Sequence, residues 1–153
     1  MAIRGVIFDL FHTLTGPESE WSDLPWTSDV LGIDRMRWGE LLTARSRWRL
    51  TGEETDPYRI LSALADEADP TITEDRIRDA LRVRIQRFRD SLLRVPEANI
   101  EALRRLRVAG YRLGLITNAD VMEIAAWSDC PLAGLFDAEV FSCMRGTSKT
   151  EVR

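Results

Sequence analysis

The stretch Ile3-Arg4-Gly5-Val6-Ile7-Phe8-Asp9-Leu10-Phe11-His12-Thr13-Leu14 decides how the chain is read. Its apolar opening is too short for a helix and rich in β-branched and aromatic residues. That pattern predicts a strand buried on both faces, hence a central strand of a parallel sheet. A carboxylate, Asp9, stands where the strand should stop. In open α/β sheets ligands bind beyond the carboxyl ends of strands, so Asp9 falls where chemistry is usually done. Taken alone, the stretch leaves a plain strand-stopping or turn-capping role for Asp9 open.

Two further runs have the same character. Tyr111-Arg112-Leu113-Gly114-Leu115-Ile116-Thr117-Asn118 predicts a second buried strand ending in two hydrogen-bonding side chains. Ala138-Glu139-Val140-Phe141-Ser142 predicts a third, with Gly146 to Lys149 leading onward from it. Ahead of the second run, Pro96 opens a helix whose stripe includes Leu103 and Leu106 and which stops at Gly110. Asp120 is expected to cap a short helix through Trp127, and 131–136 reads as a loop. This alternation predicts an α/β protein: a Rossmann-like three-layer α/β/α core with a parallel sheet and right-handed crossovers. Strands are expected near 4–9, 111–116 and 138–142.

The segment 15–95 interrupts that core with helices, a four-helix bundle by its pattern. A short helix between Glu20 and Leu31 is broken near Pro25 and stopped at Gly32. Asp34 caps a longer one to about Leu50, with Met36, Trp38, Leu41, Leu42 and Trp48 on its apolar face. Asp56-Pro57 starts a third, with Ile60, Leu61, Leu64 and Ala68 buried. Thr73 partly caps a fourth, striped by Ile77, Leu81, Ile85, Phe88 and Leu92. Seven arginines between Arg76 and Arg94 surround that stripe. Interleaved Asp79 and Asp90 make a solvated face the better reading than one for nucleic acid.

Composition narrows the classes. The 153 residues are 44% apolar and 30% charged with a net charge of −4, ordinary for a globular domain and unsuited to nucleic acid. No run approaches membrane-spanning length, and no targeting segment is visible, so a cytoplasmic protein is expected. Cys130 and Cys143 read as free thiols. Of the 21 basic residues only Lys149 is a lysine. A lone ammonium in an arginine-rich chain suggests a site wanting a compact, rotatable cation, although chance places one lysine as easily.

Three strand ends therefore carry polar groups: Asp9 with Thr13, Thr117 with Asn118, and Ser142 with Lys149 beyond. Parallel strands bring their carboxyl ends to one edge, so these groups are expected to share a pocket. A carboxylate beside an ammonium, with hydroxyl and amide donors, is a nucleophile with its charge partner and an anion cradle.

With these residues in view, the chain resembles the haloacid dehalogenase (HAD) superfamily of hydrolases, in the branch with a helical cap after the first strand. The likeness runs through nearly the whole chain. Phe8-Asp9-Leu10-Phe11-His12-Thr13-Leu14 matches the first motif, Leu115-Ile116-Thr117-Asn118 the second, and Phe141-Ser142 with Gly146 and Lys149 the third. The resemblance implies Asp9 as nucleophile, Thr117 as anion binder and Lys149 as their charge partner. Phe11, His12, Thr13 and Asn118 are then the residues expected against a small-molecule substrate. It also implies a core of 1–14 and 96–153 with a cap of 15–95.

Two departures follow. Family phosphatases carry a second Asp two places after the nucleophile, as general acid and base, where this chain has Phe11. Its loss costs an alkoxide leaving group about 10²–10⁴ in rate. A halide needs no proton, and dehalogenases of the superfamily also place an aromatic residue there. His12 reads as structural and not as a substitute base. The family's fourth motif, an acidic pair after another strand, is not met before Arg153, so the C-terminal part of the core is expected to be missing. Thr150 also replaces the family's usual Pro. Asp9 and the Phe11 carbonyl form only part of a Mg²⁺ site. Mg²⁺ thus stays open for phosphatase-like chemistry, and a dehalogenase-like enzyme needs none.

Two functions remain: an Asp9-dependent hydrolase, dehalogenase-like or phosphatase-like, and a degenerate HAD fold serving as a binding or interaction module. Self-association through an uncovered sheet edge is expected with either. Generic dinucleotide binding is poorly supported, because no glycine-rich phosphate loop follows the first strand.

Overall fold

The computed structural model describes residues 4–149. Three parallel strands form one sheet: β1 (Gly5–Phe8), β2 (Arg112–Thr117) and β3 (Ala138–Phe141), in the order β1-β2-β3. Gly5 to Phe8 register against Arg112 to Leu115, and Gly114 to Thr117 against Ala138 to Phe141. All three strands end toward the same edge. The central strand is β2 and not β1, which pairs on one side only among the described residues. Nor is β1 buried on both faces: Val6 and Phe8 pack on the core, whereas Ile7 is 68% exposed. Short apolar runs cannot tell an edge strand from a central one, because the signal reports composition and not neighbours.

Between β1 and β2 lie only helices and turns. A 3-10 turn at Glu18–Glu20 precedes α1 (Thr27–Leu31), α2 (Arg35–Ala44), α3 (Ser46–Leu50), α4 (Pro57–Ala68) and α5 (Glu74–Leu93). Asp34 caps α2 by accepting from the Met36 and Arg37 amides, and Asp56 caps α4 from Tyr58 and Arg59, with Pro57 at the first turn. The expected helix from Asp34 to Leu50 breaks at Arg45 into α2 and α3. Met36 is 74% exposed and leaves the predicted stripe, while Trp38 is buried. After Pro96, α6 (Glu97–Val108) leads into β2. A final turn of helix, α7 (Ser142–Arg145), follows β3 directly. Asp120 caps a series of turns, with no α-helix before the 3-10 turn Trp127–Asp129.

Two apolar clusters hold these layers. Leu10, Leu14, Leu92, Leu103, Leu113, Leu115 and Phe141 form the sheet core. Leu31, Trp38, Ile60, Leu61, Leu64, Ile77 and Met122 form the helical core. Each leucine fully buried here contributes about 1.5–3 kcal/mol of transfer free energy. The clusters interlock: α5 gives Ile77 to one and Leu92 to the other, and Met122, from beyond β2, sits among the helices. At Gly52 (φ +73°) the chain passes so close to Cys143 that an added Cβ would lie 2.1 Å from its carbonyl oxygen. Only glycine fits that approach. Both cysteines are buried free thiols.

Candidate active site

Beyond Phe8 the chain turns sharply. The Leu10 carbonyl accepts from the amides of Thr13, Leu14 and Thr15 at 3.3, 2.8 and 3.1 Å, and buried Leu10 and Leu14 anchor the turn. His12 is held at φ +62°, its amide donating to Thr15 Oγ1 at 3.0 Å. A left-handed backbone at a non-glycine residue is strained and is sustained only by such over-determined surroundings. The turn leaves Asp9 half-buried at the sheet edge.

Lys149 reaches Asp9: its Nζ lies 2.5 Å from Oδ1, with the two side chains 31% and 42% exposed. Thr13 Oγ1 donates to Asp9 Oδ2 at 3.4 Å. The Lys149 amide donates to Asn118 Oδ1 at 2.9 Å, so the end of β2 positions the lysine's backbone. Ser142 Oγ accepts from the Ala119 amide at 3.0 Å, tying the start of α7 to the same strand end. Thr117, Asn118, Ser142, Thr147, Ser148 and Lys149 line one cavity of about 180 Å³. The structure thus gathers Asp9, Thr13, Thr117, Asn118 and Lys149 at one edge.

Phe11 and His12 are placed differently. Phe11 is half-buried in an aromatic cluster, with ring centroids 5.7 Å from Trp21 and 5.3 Å from Phe88, and His12 stacks on Trp21 at 5.1 Å. The Phe11 ring is therefore a wall of the fold beside Asp9, and the His12 ring has no hydrogen-bond partner among the described residues. Trp26 carries Arg35 and Arg87 at 4.7 and 4.6 Å from its ring, and Trp38 lies in the helical core. Of the four tryptophans in the helical segment, only Trp21 touches the residues flanking Asp9.

Of the two Mg²⁺ donors the sequence offers, the Asp9 carboxylate and the Phe11 carbonyl, the first has one oxygen against Lys149 Nζ. No group of three or more His, Cys, Asp or Glu fit to hold a metal occurs among the described residues. These donors make part of an octahedral oxygen shell and do not complete one.

One group of residues went unread in the sequence. Arg49, Arg84, Asp120 and Glu123 are all at least nine-tenths buried and meet as a ring of ion pairs. Arg49 Nη1 donates to Asp120 Oδ2 at 2.9 Å, and Arg84 Nη2 to Glu123 Oε1 at 2.6 Å. Cross contacts of 3.3 Å close the ring. The remaining carboxylate oxygens hold the backbone: Asp120 Oδ1 accepts from Met122 and Glu123, and Glu123 Oε2 from Asp120. This is a reciprocal capping box, legible in principle from the Asp120-x-x-Glu123 spacing. The expected solvated arginine face therefore needs correction: Arg84 and Arg87 are 5% and 4% exposed, Arg87 donating to the Leu24 and Glu18 carbonyls.

Burial, then the adjacent Asp120 charge, pushes Glu123 up to about 7, against the pull of Arg84 and Arg49. Burial alone would lower Arg84, but the Asp120 and Glu123 carboxylates hold it above its ordinary value. An acid raised on folding contributes stability that is complete below its unfolded value of 4.5 and lost as pH rises through about 7. Urea unfolding at pH 5 and pH 8 is expected to show this loss, of order 1–3 kcal/mol. Glu123→Gln should remove it; an unchanged difference between the two pH values in that variant would contradict the assignment.

No protein-family model matches the chain, and no curated protein sequence does. Solved structures do. A predicted HAD-like family hydrolase from Porphyromonas gingivalis superposes with a TM-score of 0.66 at 20% identity, covering 99% of this chain and 72% of that one. A HAD family enzyme from Bacteroides thetaiotaomicron gives 0.64 at 15% identity, over 99% and 74%. An L-2-haloacid dehalogenase gives 0.62 at 21% identity, over 98% and 68%. The Bacteroides enzyme has also been solved in complex with magnesium and inorganic phosphate, and in that form gives 0.62 at 13% identity. The chain has the HAD fold and spans about 70% of the length of these structures.

Proposed function

We propose that the chain is a HAD-type hydrolase that works through a covalent aspartyl intermediate at Asp9. The observation that carries this reading is the contact of the chain's one lysine, Lys149, with Asp9 across three parallel strand ends. The ammonium beside Asp9 offsets negative charge growing on the substrate. Asp9 attacks an electrophilic centre, a covalent ester or acyl phosphate forms, and the leaving group departs with the bond electrons. Water then cleaves the intermediate and restores the carboxylate. Thr117 and Asn118 stand at the edge where an anionic group would be held.

With Phe11 packed on Trp21 and Phe88, no carboxyl group stands two places after Asp9 to protonate an alkoxide. Leaving groups that need no proton, a halide above all, are favoured, with activated phosphate esters next. The test compares halide release from 2-chloropropionate with phosphate release from an activated ester, each with and without Mg²⁺. Halide release independent of Mg²⁺ supports the dehalogenase-like form. Mg²⁺-dependent phosphate release alone assigns the site to phosphoryl transfer.

One observation favours a second reading, an interaction module. Among the described residues β1 pairs on one side only and carries exposed Ile7, and unpaired strand edges recruit other strands. Sedimentation over a range of concentrations is expected to show self-association that Ile7→Lys suppresses. A wild-type chain that stays monomeric throughout would remove this reading.

A further inference from the structure

Arg49, Arg84, Asp120 and Glu123 do more than fill an interior. Arg49 comes from α3 and Arg84 from α5, both in the helical segment; Asp120 and Glu123 come from the turn that leaves β2. Each carboxylate gives one oxygen to its own backbone and the other to the two guanidinium groups. Arg49 Nη2 also donates to the Leu42 carbonyl at 3.2 Å, which binds α3 to α2. Its Nε is buried with no partner. A buried orphaned donor on a guanidinium whose two terminal nitrogens are both engaged indicates that Arg49 is placed for what those nitrogens hold, at a cost in desolvation.

From this ring two short paths lead to the candidate site. Asp120 is two residues from Asn118, whose Oδ1 takes the Lys149 amide at 2.9 Å. The Arg84 guanidinium lies 4.8 Å from the Phe88 ring centre, and Phe88 packs edge-on against Phe11 at 5.3 Å, two residues from Asp9. One path ends at the nucleophile and the other at its cation. We propose that the four residues are a clasp that positions both halves of the Asp9–Lys149 pair by fixing the helical segment against the end of β2. None of the four touches the reacting groups, so they are positioning residues. The inference rests on the reading of Asp9 and Lys149 as the working pair, and its test needs no turnover.

Lys149 supplies the probe, because it is the chain's one lysine. Its acylation by a water-soluble amine-reactive ester is followed by mass spectrometry, with peptide mapping to separate it from the amino terminus. A lysine paired with a carboxylate reacts slowly. Asp9→Asn releases the pair and sets the fast limit. Two variants disturb the clasp while limiting damage to the fold: Glu123→Gln, which is isosteric but sets an NH2 against either the guanidinium groups or the Asp120 amide, and Arg84→Met with Glu123→Leu, which removes one charge of each sign. Both are compared well below their unfolding temperatures, and Arg78→Met, which breaks the exposed pair with Glu74 and the contact with the Tyr58 ring, neither of them part of the clasp, is the control.

The expected result is that both clasp variants acylate Lys149 at least about fivefold faster than wild type, approaching Asp9→Asn, while Arg78→Met matches wild type. A folded clasp variant with wild-type protection of Lys149 would overturn the proposal, since the ring would then serve stability alone. Failure of both variants to fold would overturn it equally, because the ring would be needed for the fold itself. If the double variant does not fold, Glu123→Gln decides. Unchanged acylation in Asp9→Asn would instead contradict the Asp9–Lys149 pairing, which separates failure of the functional reading from failure of the clasp.

Discussion

Arg84→Met on its own is expected to destabilise the protein by about 3–5 kcal/mol, because it leaves two buried carboxylates facing one guanidinium. Met preserves most of the aliphatic stem, so packing against Phe88 is largely kept and the loss is electrostatic. For a domain of this size the melting temperature should fall by roughly 6–20 °C. Removing Arg78 from its exposed pair with Glu74 should leave the melting temperature nearly unchanged, because solvent screens such surface pairs. The contrast between two arginines on one helix is the measurement. Equal, small effects in thermal unfolding would mean that water reaches the Arg84 cluster and screens it.

That contrast also marks where the sequence stops being legible. Period and caps located α4 and α5 well: Asp56-Pro57 and Thr73 start them, and Ile60, Leu64 and Ile77 face inward as the spacing demands. The parallel pairing of the strands and the meeting of Asp9 with Lys149 were likewise readable, from strand polarity together with the arrangement the resemblance implies. The buried ring was not read, because an arginine on an apolar stripe looks like the solvated arginines beside it. Its burial depends on Asp120 and Glu123 arriving from a distant part of the chain. That β1 pairs on one side only among the described residues is not legible in the run Val6-Ile7-Phe8 itself, because strand neighbours are a property of the fold; the expected uncovered edge came from the motif not met before Arg153. Phe11, expected against a substrate, packs on Trp21 and Phe88 in the structure, contacts that its place in the sequence does not show.

Asp9→Asn carries the other large expected effect. The amide keeps the size and shape of the side chain and still accepts from Thr13, but it cannot attack. Loss of a nucleophile in comparable covalent mechanisms costs on the order of 10⁴–10⁶ in turnover. Thr117→Val keeps the nucleophile and removes one donor from the anion cradle, a loss of about 10²–10³ by the usual worth of such a contact. Asp9→Asn should therefore fall well below Thr117→Val in steady-state hydrolysis of whichever substrate class is accepted. Equal losses in the two variants would take the nucleophile's role away from Asp9.

The central claim is that Asp9 forms a bond to substrate, and intact-mass spectrometry tests it most directly. Wild-type protein is quenched in acid during exposure to 2-chloropropionate or an activated phosphate ester, with and without Mg²⁺, and weighed. The account predicts an added mass equal to the transferred group, mapping to the peptide that contains Asp9 and absent from Asp9→Asn. Product released with no adduct on Asp9, at the same rate from wild type and Asp9→Asn, would contradict it.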